Sequence, residues 1–170
     1  ICVTPDRITL GVKDAWMWAR GKSKENDQQQ DSIKESCRWI EGYERVAEMA
    51  ERCPEQKLVY VADREGDILN LMIRSMALNY PADWLVRAKH NRKVAGDEKL
   101  WDLVDKQPIT RSITFIKPRK KGEKSRKVQQ EVKVLRYSLP VKGKRSVPVT
   151  LVQAKEINPP KGKMPITWRL

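Results

Sequence analysis

An aspartate at the end of an apolar run is the first place in this sequence to look for chemistry. Leu58-Val59-Tyr60-Val61-Ala62 is continuously apolar, and Asp63 follows it directly. Such a run reads as a short strand buried on both faces, and open α/β sheets place their ligands beyond the carboxyl ends of strands. A carboxylate there can hold a hard divalent cation, which needs only one or two protein carboxylates and completes its shell with waters and phosphate oxygens. Two such ions, about 3.5–4 Å apart, stabilise the attacking and leaving oxygens of phosphoryl transfer. The plainer alternative is that Asp63 opens a loop or caps a helix. Two more acids follow, Glu65 and Asp67. Asp67 suits the N-cap of the next helix better than a metal, and Glu65 reads as a supporting or solvated group.

A second constellation is cationic. Arg87 and Lys89 stand two apart, so they share one face if the strand before them continues, and Arg92 follows. A comb of this kind can grip successive phosphates, with arginine bidentate; the alternative is a solvated strand end. His90, the single histidine, is too isolated to be a ligand. Residues 117–127 hold seven Lys/Arg and one Glu, which suits either a DNA backbone or a solvated hairpin tip. Trp168 follows the Pro159-Pro160 turn. Most tryptophans are core, but one beside basic residues can stack a displaced base. No glycine-rich phosphate loop, GxSxG, HExxH or CxxC is present. Asp63-Arg64-Glu65 lacks the Asp-x-Asp of aspartyl phosphatases. Where a restriction-type nuclease wants an acid two residues before a lysine, Arg87-Ala88-Lys89 stands.

The elements that must position these residues can be read in outline. Thr4-Pro5-Asp6-Arg7 is a turn, and loose alternation over 8–19 predicts a long strand paired back as a hairpin. Residues 20–30 are wholly polar and read as a loop. Asp31 or Ser32 then caps a helix that carries Ile33, Cys37, Ile40, Val46 and Met49 at helical spacing to about Arg52, where Pro54 closes it. The buried strand 58–62 leads into a helix with Ile68, Leu71, Met72 and Met76, stopped by Asn79-Tyr80-Pro81. Trp84-Leu85-Val86 is a further strand, and 98–105 a short helix. Beyond Pro108 the period becomes two, over 111–117, 128–137 and 146–154, so antiparallel strands are expected, with a last one opening near Ile166-Thr167-Trp168. The fold class is therefore α/β: a mixed sheet with helices over residues 1–106, then a β-rich subdomain over 107–170.

Charge points the same way as the cationic comb. The net charge is +13. Residues 1–62 hold 10 Lys/Arg against 11 Asp/Glu, whereas residues 63–170 hold 25 against 11, so the whole excess lies downstream of residue 62. Clustered cations of this kind suit a polyanion, because they release its condensed counterions. Three cysteines at Cys2, Cys37 and Cys53 have no metal-like spacing, which makes a reducing cytosol the default. No run long and apolar enough for a membrane span occurs, and no signal peptide is visible.

Taken together, these residues resemble a family. Tyr60-Val61-Ala62-Asp63-Arg64-Glu65-Gly66-Asp67-Ile68 is similar to the second-aspartate motif of bacterial insertion-sequence transposases of the DDE class, in particular the insertion-sequence-four group. Residues Trp84 to Lys93 resemble the family's Arg/Lys segment. Glu156-Ile157-Asn158-Pro159-Pro160-Lys161-Gly162, with Pro165 and Trp168, resembles the end of its β-rich insertion. Each block is modest, but their joint order makes the match specific. The resemblance implies an RNase H-like fold interrupted by a β insertion, Mg²⁺ or Mn²⁺ as cofactor, and strand cleavage and transfer at transposon ends by a homodimer. It matches Asp63 to the second catalytic, metal-binding aspartate. Arg87, Lys89 and Arg92 match DNA-contacting positions, and Trp168 matches the tryptophan that receives a flipped base. The family's first aspartate is expected before residue 1 and its glutamate beyond Leu170, since Asp6 sits in a turn and is no substitute. The chain therefore reads as an internal fragment, inactive alone. Its rivals are a basic nucleic-acid-binding module without catalysis and a decayed remnant of an insertion element.

Overall fold

The computed structural model describes residues 1–13, 15, 28–94, 96–119, 124–143 and 145–170, with the backbone alone over 28–35. Two compact units divide the chain, Ile1–Lys34 and Glu35–Leu170. In the first, β1 (Cys2–Val3) pairs antiparallel with β2 (Thr9–Gly11). The Thr4–Arg7 turn forms as expected. Arg7 takes a left-handed φ of 66°, and Thr4 Oγ1 accepts the Ile8 N–H at 3.1 Å. The second strand ends at Gly11, whose φ of 131° suits glycine alone, so Val12 and Lys13 do not continue the strand expected over 8–19. Residues 16–27 lie outside the described residues.

Helix α1 spans Gln28–Arg52, so Asp31 and Ser32 lie inside it rather than capping it. The Gln28-Gln29-Gln30 run has good helix propensity but no apolar residue, so hydrophobic periodicity is silent over the first turn. The far end is as expected: Cys53 N–H bonds back to Met49 O at 3.0 Å, and Pro54 cannot extend the ladder.

The second unit holds a strand–helix–strand crossover: β3 (Val59–Ala62), α2 (Leu69–Ala77) and β4 (Asp83–Val86), the strands parallel and in register from Val59↔Asp83 to Ala62↔Val86. Tyr43, Ala47 and Ala50 of α1 recur on one helical face and bury against Leu71 of α2 and Ala82. Tyr43 Oη also donates to Ala82 O at 2.9 Å, and its ring meets Tyr60 edge-on at 6.0 Å. One expectation fails here. The strand at 58–62 is not buried on both faces, because Val59 and Val61 are 45% and 68% exposed while Ala62 is buried. An apolar run does not say how many faces the fold covers; its β-branched residues favour a strand in either case.

Beyond α3 (Leu100–Asp105), four strands form an antiparallel sheet in the order β5 (Ile109–Lys117), β6 (Arg126–Leu139), β7 (Val147–Glu156) and β8 (Thr167–Arg169). Its period-two pattern was plain in the sequence. A cluster of Met72, Val94, Leu100, Val104, Leu139, Val147 and Leu151 joins α2 and α3 to β6 and β7, each such apolar side chain contributing about 1.5–3 kcal/mol on full burial. The chain is thus a mixed α/β protein with few helices, one parallel pair and antiparallel sheets; among the described residues β1–β2 and β3–β4 are separate sheets, not the single mixed sheet expected over residues 1–106. No helix of the described residues is long and apolar enough to cross a membrane.

A seam between the sheets positions the site. Arg87 N–H still bonds to Ala62 O across the parallel pair at 3.2 Å, but Ala88 N–H bonds to Arg169 O of β8 at 2.8 Å. The segment after β4 therefore leaves one sheet and touches the other.

Candidate nucleic-acid interface

Asp63 stands where β3 ends, as the sequence predicts, and leads into a 3₁₀ turn, Arg64–Gly66. Gly66 is required there by space: a Cβ on it would lie 2.6 Å from the Ala62 Cβ. The Asp63 side chain is 71% exposed, and its ion-pair partner is Arg87, at 3.6 Å. Arg87 also lays its guanidinium over the Trp168 ring, 4.3 Å from the centroid. Three residues singled out by type, from the end of β3, the segment after β4 and β8, thus meet at the seam, Asp63 being the residue directly after β3.

Asp67 is not the helix cap that the sequence suggests. Ile68 holds that position. The Asp67 carboxylate turns instead to the segment after β4. It accepts the backbone N–H of Lys89 at 2.6 Å and of His90 at 2.8 Å, and pairs with the Arg92 guanidinium at 2.6 Å. Arg92 closes the ring by donating to Asp67 O at 3.0 Å. Both side chains are largely covered, Asp67 2% and Arg92 17% exposed. Arg92 is therefore engaged within the fold, while Lys89 remains exposed. The 87–92 segment is not a continued strand, so Arg87 and Lys89 are not placed by strand alternation; Asp67 sets their course.

The basic run behaves similarly. Residues 120–123 lie outside the described residues. Arg126 makes a two-pronged pair with Glu156, which also accepts the Ile166 N–H at 2.9 Å. The Arg126 hydrogen bond holds the Glu156 carboxyl below its ordinary range, against the opposing effect of burial. This pair fixes the turn from β7 to β8 and so the approach to Trp168.

Sequence reasoning missed three residues at the seam: Arg64, Trp101 and Arg169. The Arg169 guanidinium stacks on Trp101 at 4.3 Å and donates through Nε to Gln153 Oε1 at 2.6 Å. Burial lowers its pKa, with Asp105 and Asp102 opposing, but an arginine stays charged throughout the working range. The one available signal was adjacency, since Arg64 follows Asp63 and Arg169 follows Trp168.

Asp63 offers an exposed hard oxygen donor, which suits Mg²⁺ or Mn²⁺. Asp67 is spent on its three partners, and among the described residues no three His, Cys, Asp or Glu side chains converge. The described residues thus supply one ligand and do not by themselves fit a complete divalent site. No protein-family model matches the chain.

Proposed function

We propose that this chain is part of a cut-and-paste DNA transposase of the DDE class, with an RNase H-like core and the antiparallel sheet as its β-rich insertion. The observation that carries this reading is the meeting of Asp63, Arg87 and Trp168 within 3.6 and 4.3 Å contacts. They come from three sequence blocks, and the family resemblance assigns all three to one DNA site. Asp63 would give one carboxylate to Mg²⁺ or Mn²⁺, which supplies Lewis-acid chemistry when bound; the other acidic ligands come from outside residues 1–170. Arg87 and exposed Lys89 neutralise phosphate charge. The 42% exposed Trp168 ring receives a base turned out of the duplex, offsetting the few kcal/mol of unstacking. The partner is transposon-end DNA, held by a homodimer.

The test is Asp63→Asn in the full reading frame. Cleavage of transposon ends should disappear while end binding persists. The excess charge downstream of residue 62 favours one rival, a basic DNA-binding module without catalysis. Under it Asp63→Asn changes neither property, and Arg87→Ala with Lys89→Ala lowers binding alone.

A further inference from the structure

Beside Arg87 lies a cavity of about 170 Å³, lined by Arg64, Arg87, Lys89, Trp101, Thr167 and Arg169. These come from the turn after β3, the segment after β4, α3 and β8. No carboxylate lines it. Like charges gathered in one small space repel, and neighbours or a bound anion offset that repulsion. Two are held: Arg87 by Asp63 and Trp168, and Arg169 by Gln153 and Trp101. Among the described residues, the Arg64 guanidinium and the Lys89 ammonium have neither a carboxylate partner nor a hydrogen-bond acceptor. The indole N–H of Trp101 is buried and has no acceptor either. Thr167 is the one side chain of the lining that could accept.

We propose that this cavity binds a single phosphate group. An anion rich in acceptors matches a lining dominated by donors, whereas a nucleobase carries no charge to set against the cations of the lining. The space is several times the roughly 30 Å³ share of one water molecule. Arginine forks fit phosphate oxygens bidentately, and the two Arg–Trp stacks fix two of those forks in advance, which lowers the ordering entropy lost on binding. The site deepens the DNA reading by naming where one phosphate sits, yet it stands without catalysis.

The test follows indole N–H resonances of the ¹⁵N-labelled protein, with Trp101→Phe to assign Trp101. Inorganic phosphate is titrated against sodium chloride at matched ionic strength. A saturable Trp101 shift with phosphate alone is expected, weakened about tenfold in Arg64→Ala, as for loss of a charged hydrogen bond. Arg64 is exposed, so this variant should fold; Arg64→Lys should restore part of the affinity. Equal responses to phosphate and chloride, or an unchanged titration in Arg64→Ala, overturn the proposal. Short single strands with and without a 5′-phosphate identify the source. Competition by both marks a bridging phosphodiester, by the phosphorylated strand alone a terminal phosphate, and by neither a free phosphate. Because no transposon end is used, failure here leaves the Asp63→Asn result untouched, and the converse holds.

Discussion

Asp67→Ala should be among the most damaging single substitutions in the second unit. Its carboxylate is 2% exposed and satisfies two backbone N–H groups through Oδ2 and the Arg92 guanidinium through Oδ1. Alanine leaves both N–H groups without their acceptor and the guanidinium without its counter-charge, with only the Asp67 backbone oxygen still accepting from Arg92. Breaking a buried pair by removing one partner costs about 3–5 kcal/mol, and each orphaned N–H about 1–3 kcal/mol. These costs overlap, and water can reach the 17% exposed Arg92, so a loss of about 4 kcal/mol is expected. With a urea slope of about 2 kcal/mol/M, the unfolding midpoint falls by about 2 M. Circular dichroism and tryptophan fluorescence, followed together, give this midpoint.

Two companions make the reasoning refutable. Asp67→Asn keeps one oxygen for both N–H groups but sets its NH₂ against the guanidinium, so it should lose less, about 1.5–3 kcal/mol. Arg92→Ala made in the Asp67→Ala background should add little, because the stranded charge is gone. A loss below about 1 kcal/mol in Asp67→Ala, or strict additivity in the double variant, refutes the clamp.

Other outcomes follow from the same contacts. Gly66→Ala places a Cβ 2.6 Å from the Ala62 Cβ and should cost about 1–3 kcal/mol in urea unfolding, as for overpacking. Glu156 is held below its ordinary pKa in the folded state, first by Arg126. Its stabilising contribution is therefore full above the unfolded value of about 4.3 and lost as pH falls through the folded one. Glu156→Gln should flatten that acid limb of the stability curve. Burial pushes Tyr60 up to about 12, so its phenolate should be absent from ultraviolet titrations near the ordinary value of about 10. Stability should fall as pH rises from the unfolded value through the folded one, and Tyr60→Phe should remove that loss. Residues 1–170 alone should not cleave transposon-end DNA in Mg²⁺; cleavage would show that the chain needs no carboxylates from elsewhere.

How much could be read in advance depended on which interactions were local. The antiparallel strands beyond residue 107 were legible because alternation marks a strand, although β5 is exposed along nearly its whole length. The strand, helix and strand that became β3, α2 and β4 were legible from their apolar runs and the stop at Asn79-Tyr80-Pro81, but not their parallel pairing. The start of α1 was not, because propensity without apolar periodicity leaves no such trace. Exposure of Val59 and Val61 was hidden for a related reason: the run records what the strand prefers, not what packs on it. At the site, Asp63, Arg87 and Trp168 were legible by residue type and family resemblance. Arg64, Trp101 and Arg169 were missed because the seam joining β8 to the segment after β4 is a tertiary contact. Asp67 shows the same limit, since its partners lie 22 to 25 positions away and a local capping rule sees only its own helix.

Magnitudes separate the two arginines that the sequence treated alike. Arg92 shares a nearly dry pair with Asp67, where loss of either partner costs about 3–5 kcal/mol. It cannot leave for a phosphate without unmaking the clamp. Arg87 holds a 71% exposed carboxylate at 3.6 Å, a contact of about 0–1 kcal/mol, and a partly exposed ring, about 0.5–1 kcal/mol. A bidentate phosphate contact, at about 1.5–3 kcal/mol for hydrogen bonds to a charged group, outweighs the carboxylate contact and leaves the ring stack in place. Arg92 therefore holds the segment in place so that Arg87, loosely tied at its tip, can exchange partners when an anion arrives.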